Sequence, residues 1–207
     1  MKFVAIILLL LTSIFLIACS ANQASNKISN SELENLASKY GGVYVFNEKF
    51  EKEITTKEKI RREAELAIVN ASKTDAEMRK NLKGFDAKYP QILSNGKKYY
   101  TRWIDYENQT GKKAEIPEVY INKIKEFIGD DFNKQKPELL MLYLYEDNGI
   151  AIPITVRASY TYVKTKYGLF GDEGRGVKFS KQNFVTRTSR SEFHIINGKF
   201  ERVSKDK

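Results

Sequence analysis

The hydrophobic period of the chain changes along its length, and this change limits the possible folds more than any other feature. Between residues 31 and 82 apolar side chains recur every three or four positions, and a similar helical pattern follows Pro117. Residues 139–203 instead alternate, with turn sequences at Asn148-Gly149 and Asn197-Gly198. Helices followed by strands predict an α+β fold in which N-terminal helices pack on a C-terminal antiparallel sheet.

Start signals predict four helices. In three of them a Ser or Thr is followed three residues later by Glu, a pattern that caps a helix N-terminus, and in the fourth Pro occupies the first turn. The four starts are Ser31, Thr55, Thr74 and Pro117. The helix that begins at Thr55 is expected to bury an apolar face made of Ile60, Ala64, Ala67, Ile68 and Ala71.

Strands are predicted where the pattern alternates or is continuously apolar. The segment 139–145 is apolar on both faces, which is typical of a buried central strand. The other predicted strands are 43–46, 97–107, 152–164, 178–190, 193–196 and 199–203. A helix held against the concave face of a curved sheet, as in cystatin-like or NTF2-like domains, is the layout expected by analogy.

The N-terminus reads as a targeting segment. Lys2 precedes an almost unbroken apolar run from Val4 to Ala18, and polar residues follow at once. A membrane-spanning helix needs about 20 apolar residues, so the pattern favours a secretory signal peptide over a short membrane anchor, which is the alternative.

The four residues Leu16-Ile17-Ala18-Cys19 resemble the lipobox of bacterial lipoproteins. The resemblance implies that the Cys19 thiol receives a diacylglyceryl group and that the chain is cut before Cys19. It therefore implies a signal peptide at 1–18, a lipidated flexible tether at 19–30 and a single α+β domain at 31–207. Ser20 in place of Asp implies the outer membrane, with the domain facing the periplasm.

Catalytic and metal-binding residues are scarce. Cys19 is the one cysteine and His194 the one histidine, so no zinc site of the usual His/Cys kind is expected, and no cofactor or metal is predicted. One interpretation makes His194 a general base assisted by Glu192 or Glu201. The alternative is a sheet residue beside a hairpin, and we expect a protein that is not an enzyme.

Positive charge is concentrated near the C-terminus. Residues 157–207 contain 12 Lys and Arg against 5 Asp and Glu, whereas residues 19–156 contain 22 against 21. Basic strands with interleaved aromatic residues would attract an anionic surface, with a strength that salt reduces. Lys and Arg on an edge strand can also simply prevent aggregation. The predicted binding residues are Tyr160, Tyr162, Lys164, Lys166, Arg175, Lys178, Arg187 and Arg190.

The glycine-rich segment GLFGDEGRG at 168–176 is the most unusual local sequence. It lacks the spacing of a phosphate-binding loop or of an EF-hand. It is predicted to be a hairpin loop that either contacts a partner or only connects two strands.

These observations favour an envelope lipoprotein with a non-enzymatic binding role. The lipid on Cys19 would hold it on the membrane, and the basic sheet would contact a protein partner or an anionic envelope polymer, with no role for nucleic acid. The alternatives are a protective lipoprotein of the immunity or exclusion type, which the segment 168–176 would serve, and a cell-envelope hydrolase.

Overall fold

The computed structural model describes residues 28–172, 174, 176–187 and 191–203. The predicted signal peptide, Cys19, Arg175 and Arg190 therefore lie outside the described residues. The helices are α1 (Asn30–Tyr40), α2 (Glu48–Ala71), α3 (Asp75–Asn81), α4 (Phe85–Lys88), α5 (Trp103–Thr110), α6 (Glu118–Ile128) and α7 (Asp131–Lys134). The strands are β1 (Gly42–Val45), β2 (Tyr99–Tyr100), β3 (Glu138–Met141), β4 (Leu144–Asp147), β5 (Ile150–Pro153), β6 (Thr155–Ser159), β7 (Tyr162–Asp172), β8 (Gly176–Thr186), β9 (Ser191–Ile196) and β10 (Lys199–Val203).

The strands form three sheets, and the predicted α+β class is confirmed. The largest sheet has the order β10-β9-β1-β6-β3, a second has the order β2-β4-β5, and β7 pairs only with β8. The largest sheet is not purely antiparallel or purely C-terminal, because the predicted strand at 43–46 becomes β1 at its centre and runs parallel to β9. Both faces of β1 are largely buried, and a strand that is apolar on both faces belongs inside a sheet.

One face of the five-stranded sheet is filled by helices. Tyr44 of β1 stacks on Phe193 of β9 with ring centroids 4.6 Å apart, and Phe127 and Phe200 pack around this pair. Residues of α1, α6 and α7 complete the same hydrophobic core. The sheet therefore packs against helices on this face.

A second, smaller core fixes the start of α2. Ile54 is fully buried together with Leu93, Tyr99 and Ile154. Ile54 is also the one α2 residue that the structure describes as buried, so the buried apolar attachment of this helix is centred on this side chain.

The predicted helix starts are correct at Thr74 and Pro117 and wrong at the other two positions. α1 is capped by Ser29, whose side chain accepts a hydrogen bond from the Glu32 amide while the Glu32 carboxylate accepts one from the Ser29 amide. α2 is capped by Asn47 rather than Thr55, because Phe50 and Ile54 extend its apolar contacts toward the N-terminus. Its predicted inner face is not a core face, since Ile60 remains 50% exposed.

Two predicted strands are also wrong. Within 97–107 only Tyr99–Tyr100 forms a strand. Each of these tyrosines packs into a different core, and α5 begins at Trp103. Segment 139–145 is split into β3, at the edge of one sheet, and β4, in the middle of another. The chain passes from the first of these sheets to the second at Tyr143, whose amide donates a hydrogen bond to the Thr155 hydroxyl.

In the C-terminal half the predicted turns are correct, whereas several predicted strand ends are not. Asn148 and Asn197 have the positive φ angles, 49° and 51°, that tight hairpins require. The strand predicted at 152–164 is divided between β5, β6 and β7, and β8 ends at Thr186 rather than at residue 190.

The Ile54→Ala variant is expected to lose about 2–5 kcal/mol of the free energy of unfolding, because it leaves a cavity in the small core. Urea denaturation followed by circular dichroism measures this loss. Ile60→Ala, on the exposed part of the same helix, is the matched control and should cost less than about 1 kcal/mol. Equal losses would show that α2 is not held through Ile54.

Asp131 links α7 to α1 and should make the fold sensitive to acid. Hydrogen bonds from Lys134 and from the Tyr40 hydroxyl lower the pKa of this carboxyl below its ordinary value of 3.8. The unfolded chain therefore binds the proton more readily, so this stabilisation is present above pH 3.8 and is lost as the pH falls. Thermal melts from pH 6 to pH 2 should show a shallower acid decline for Asp131→Asn than for Asp130→Asn, an exposed neighbour. Identical acid declines would contradict this role for Asp131.

Candidate binding surface

The two longest strands form a ribbon that belongs to neither of the other sheets. Residues of β7 and β8 pair continuously from Tyr162 opposite Thr186 to Asp172 opposite Gly176. We call β7 and β8 together the ribbon. Because successive side chains of a strand point to opposite sides, the ribbon has two distinct faces.

One face of the ribbon is predominantly apolar, and we call it the apolar face. Directly paired residues share a face, so Val163 lies beside Val185 and Leu169 beside Phe179. Thr165, Asn183 and Lys181 interrupt this surface. Its apolar members are Val163, Tyr167, Leu169, Val177, Phe179 and Val185.

These apolar side chains are unusually exposed for a folded domain. Leu169 is 71% exposed and Phe179 is 73% exposed, and Tyr167, Val177 and Val185 each expose at least 64% of their surface. A group of exposed apolar side chains on one face is typical of an interaction site, whereas single exposed apolar residues are ordinary.

The opposite face carries positive charge over aromatic rings, and we call it the basic face. Lys164, Lys166 and Lys178 lie on this face and are exposed. The Lys166 ammonium lies 5.5 Å from the centroid of the Phe184 ring, and Phe170 packs against the same ring at 5.9 Å. The contact with Phe184 orients the Lys166 stem and leaves its charge available to solvent.

The base of the ribbon is joined to the first helix. The Asn30 side chain donates a hydrogen bond to the Val163 carbonyl oxygen and accepts one from the Val163 amide, both at 2.7 Å. Lys164 lies 3.7 Å from the Glu34 carboxylate. These contacts place the beginning of the described chain beside the beginning of the ribbon.

The structure brings some of the predicted binding residues together and separates others. Lys164, Lys166 and Lys178 do share one face, and Arg187 is exposed just beyond β8. Tyr162 is half-buried against the main core. Arg175 and Arg190 lie outside the residues that the structure describes.

Tyr160 is not a surface residue, so its prediction as a binding residue is wrong. It lies before the ribbon and is only 2% exposed, because the chain enters the main core there. Burial raises the pKa of its hydroxyl. That hydroxyl has no hydrogen-bond partner among the described residues.

The glycine-rich segment is mostly strand rather than loop. β7 continues through Gly168 to Asp172, and β8 begins at Gly176. Gly171 allows the strands to approach closely, since a Cβ atom there would lie 2.0 Å from the Gly176 carbonyl oxygen. The glycines therefore shape the ribbon near its end.

His194 lies in β9 on the sheet face opposite the main core. Its Nδ1 atom is 3.9 Å from a Glu48 oxygen, its Nε2 atom is 3.9 Å from a Glu192 oxygen, and Glu201 is its cross-strand neighbour. Neither ring nitrogen is within hydrogen-bond distance of those two carboxylates. The prediction of a sheet residue beside a hairpin is confirmed.

The described residues contain neither a metal-binding cluster nor a membrane-spanning helix. No group of three or more His, Cys, Asp or Glu side chains within the described ranges is placed to hold a metal ion. None of the helices in the part of the chain that the structure describes is long and apolar enough to cross a membrane. A pocket of about 240 Å³ lies between α6 and the β9–β10 hairpin and is lined by Lys123, Phe127 and Lys199 among others.

Comparisons with known proteins provide no relative. No protein-family model matches the chain, and no curated protein and no solved structure is significantly similar to it. The candidate surface is therefore identified from the geometry of this chain alone.

The apolar face is the part of the candidate surface that sequence reasoning missed. Its signal is the alternation of apolar residues at Val163, Tyr167 and Leu169, mirrored at Val177, Phe179 and Val185. The predicted binding set consisted of lysines, arginines and two tyrosines. Those tyrosines, Tyr160 and Tyr162, do not belong to the apolar face.

Proposed function

We propose that this chain is a lipid-anchored protein of the bacterial envelope with a non-enzymatic binding role, and that the ribbon is its contact element. The observation that carries the proposal is the ribbon itself, which exposes a predominantly apolar face on one side and lysines on the other. Such exposure is destabilising for an isolated protein in water, because apolar surface favours burial. Contact with a partner would bury these apolar side chains and so explains their exposure in the isolated chain.

The anchoring half of the proposal comes from the sequence resemblance at Cys19. Acyl chains hold a protein at a bilayer through the hydrophobic effect, and two or more make the attachment stable. The binding half comes from charge and geometry. Lys164, Lys166, Lys178 and Arg187 carry the positive charge that an anionic protein or envelope component would recognise.

Reversing two of these charges should weaken the contact. In the Lys178→Glu/Arg187→Glu variant we expect the association to fall roughly thirtyfold, since each basic residue near an anionic surface contributes about 1 kcal/mol. Amide hydrogen exchange is the measurement. It compares ribbon residues in isolated envelopes with the same residues in detergent-solubilised protein, and bound ribbon amides should exchange more slowly in envelopes.

The matched control is Lys59→Glu/Lys80→Glu, which reverses two exposed lysines on α2 and α3. It should keep the envelope-dependent protection of the ribbon. The proposal is wrong if the ribbon of the unaltered chain shows no envelope-dependent protection, or if both double variants retain it equally.

A further inference from the structure

We propose that the apolar face of the ribbon rests on the lipid bilayer itself, as a second membrane contact beside the lipid anchor. This inference depends on the proposed function, because it takes the chain to be acylated at Cys19. It adds the identity of the surface that the ribbon contacts, which is phospholipid rather than a protein.

The position of the anchor relative to the ribbon favours a contact between the ribbon and the bilayer. Asn30 is hydrogen-bonded to Val163 at the base of β7. Cys19 precedes Asn30 by 11 residues, which span at most about 40 Å when fully extended. The ribbon strands, at about 3.3 Å per residue, are about 35 Å long. An acylated Cys19 therefore keeps the base of the ribbon within roughly one ribbon length of the bilayer.

The separation of apolar and basic side chains between the two faces of the ribbon also favours a bilayer contact. Peripheral membrane segments bury an apolar face in the boundary between headgroups and acyl chains and keep Lys and Arg on their polar side. The ribbon has the same separation, with Leu169 and Phe179 on one side and Lys166 and Lys178 on the other. Lys181, which lies on the apolar face next to Tyr167, can extend its ammonium toward the headgroups.

The charge of the ribbon suits a phospholipid surface. Between Tyr162 and Arg187 the sequence contains six Lys and Arg and two Asp and Glu. Anionic headgroups attract basic residues near the surface, so the charge and the apolar face act together. A purely apolar protein interface would not need this excess of lysine and arginine.

The open edges of the ribbon limit how deeply it can enter. β7 and β8 pair with each other and with no other strand that the structure describes. Each therefore has backbone groups on its outer edge that must stay hydrated, and open sheet edges do not occur within the hydrocarbon region. The ribbon accordingly lies flat at the interface, and only its apolar side chains enter the outer part of the acyl layer.

Fluorescence quenching by lipid nitroxides tests this orientation. The full-length protein is purified from membranes as Leu169→Cys or Phe179→Cys, labelled with the environment-sensitive fluorophore NBD, and reconstituted into phosphatidylcholine–phosphatidylglycerol vesicles. We expect a blue-shifted emission that is quenched more strongly by a nitroxide near the headgroup than by one near the end of the acyl chain. Ile60→Cys, an exposed apolar position on α2, should show neither effect, and Gln182→Cys on the basic face should be quenched less.

The unaltered protein separates failure of this inference from failure of the proposed function. If Cys19 is acylated, the unaltered chain has no free thiol and takes up no fluorophore; labelling of its single cysteine would contradict anchoring. If the unaltered chain stays unlabelled but Leu169→Cys and Phe179→Cys are not quenched, the bilayer inference is wrong and anchoring stands. A blue shift without lipid quenching would also overturn it, because a second copy of the chain would then cover the apolar face.

Discussion

The Cys19→Ala variant is expected to incorporate no fatty acid and to keep its N-terminal segment uncut. The lipobox resemblance makes the Cys19 thiol the attachment point, and it is the one thiol in the chain, so no other side chain can replace it. The expected effect is complete loss of acyl incorporation. Metabolic labelling with palmitate, together with mass spectrometry of the N-terminal peptide, measures it.

Ser20→Ala is the matched control for this variant, because it changes the adjacent small polar residue and leaves the thiol in place. It should incorporate palmitate as the unaltered chain does. Acylation of the Cys19→Ala chain, or an unaltered chain that carries no lipid, would show that the resemblance at Leu16-Ile17-Ala18-Cys19 is misleading.

The Gly42→Ala variant is expected to lose about 3–5 kcal/mol of the free energy of unfolding, a large part of the stability of a typical domain. Gly42 has a φ angle of +155°, and an added Cβ atom would lie 2.2 Å from the Ser191 carbonyl oxygen. Relief of that clash must separate β1 from β9 at the centre of the main sheet. The cost combines backbone strain and overpacking, each about 1–3 kcal/mol.

Urea denaturation compares Gly42→Ala with Gly111→Ala, which follows α5. Gly111 also has a positive φ angle, 70°, but no atom lies within 4 Å of its added Cβ position. Gly111→Ala should therefore cost only about 1–2 kcal/mol, the cost of a side chain on a left-handed backbone. Similar losses for the two variants would mean that the close approach of β1 and β9 contributes little to stability.

The sequence predicted those parts of the fold that short-range chemistry decides. The turns at Asn148 and Asn197 and the helix that follows Pro117 are correct, because turn and capping preferences act over a few residues. The α+β class also follows from the change of hydrophobic period.

The errors occur where distant contacts decide local structure. Tyr99 and Tyr100 pack into two different cores, which shortens the predicted strand to two residues. Thr155 binds the Tyr143 amide and turns one predicted strand into two. The central position of β1 depends on pairing with β6 and β9, more than 100 residues away, and no local pattern specifies such pairing.

The candidate surface was predicted only through its charges. Lys164, Lys166 and Lys178 were recognised, and the structure places them together. The apolar face was missed because its residues form one surface only when the register of β7 and β8 is known. Tyr160 was included wrongly, because it alternates in phase with Tyr162 although the chain is already buried there.

Site-specific photo-crosslinking in living cells tests most directly whether the ribbon is the contact element of an anchored protein. Benzoylphenylalanine is introduced at Phe179 on the apolar face or at Leu66, an exposed apolar residue on α2, and every adduct of the chain is identified by mass spectrometry. The account predicts abundant adducts at position 179, to phospholipid if the ribbon rests on the bilayer, and few or none at position 66. Equal yields at the two positions, or no adduct at position 179, would contradict it.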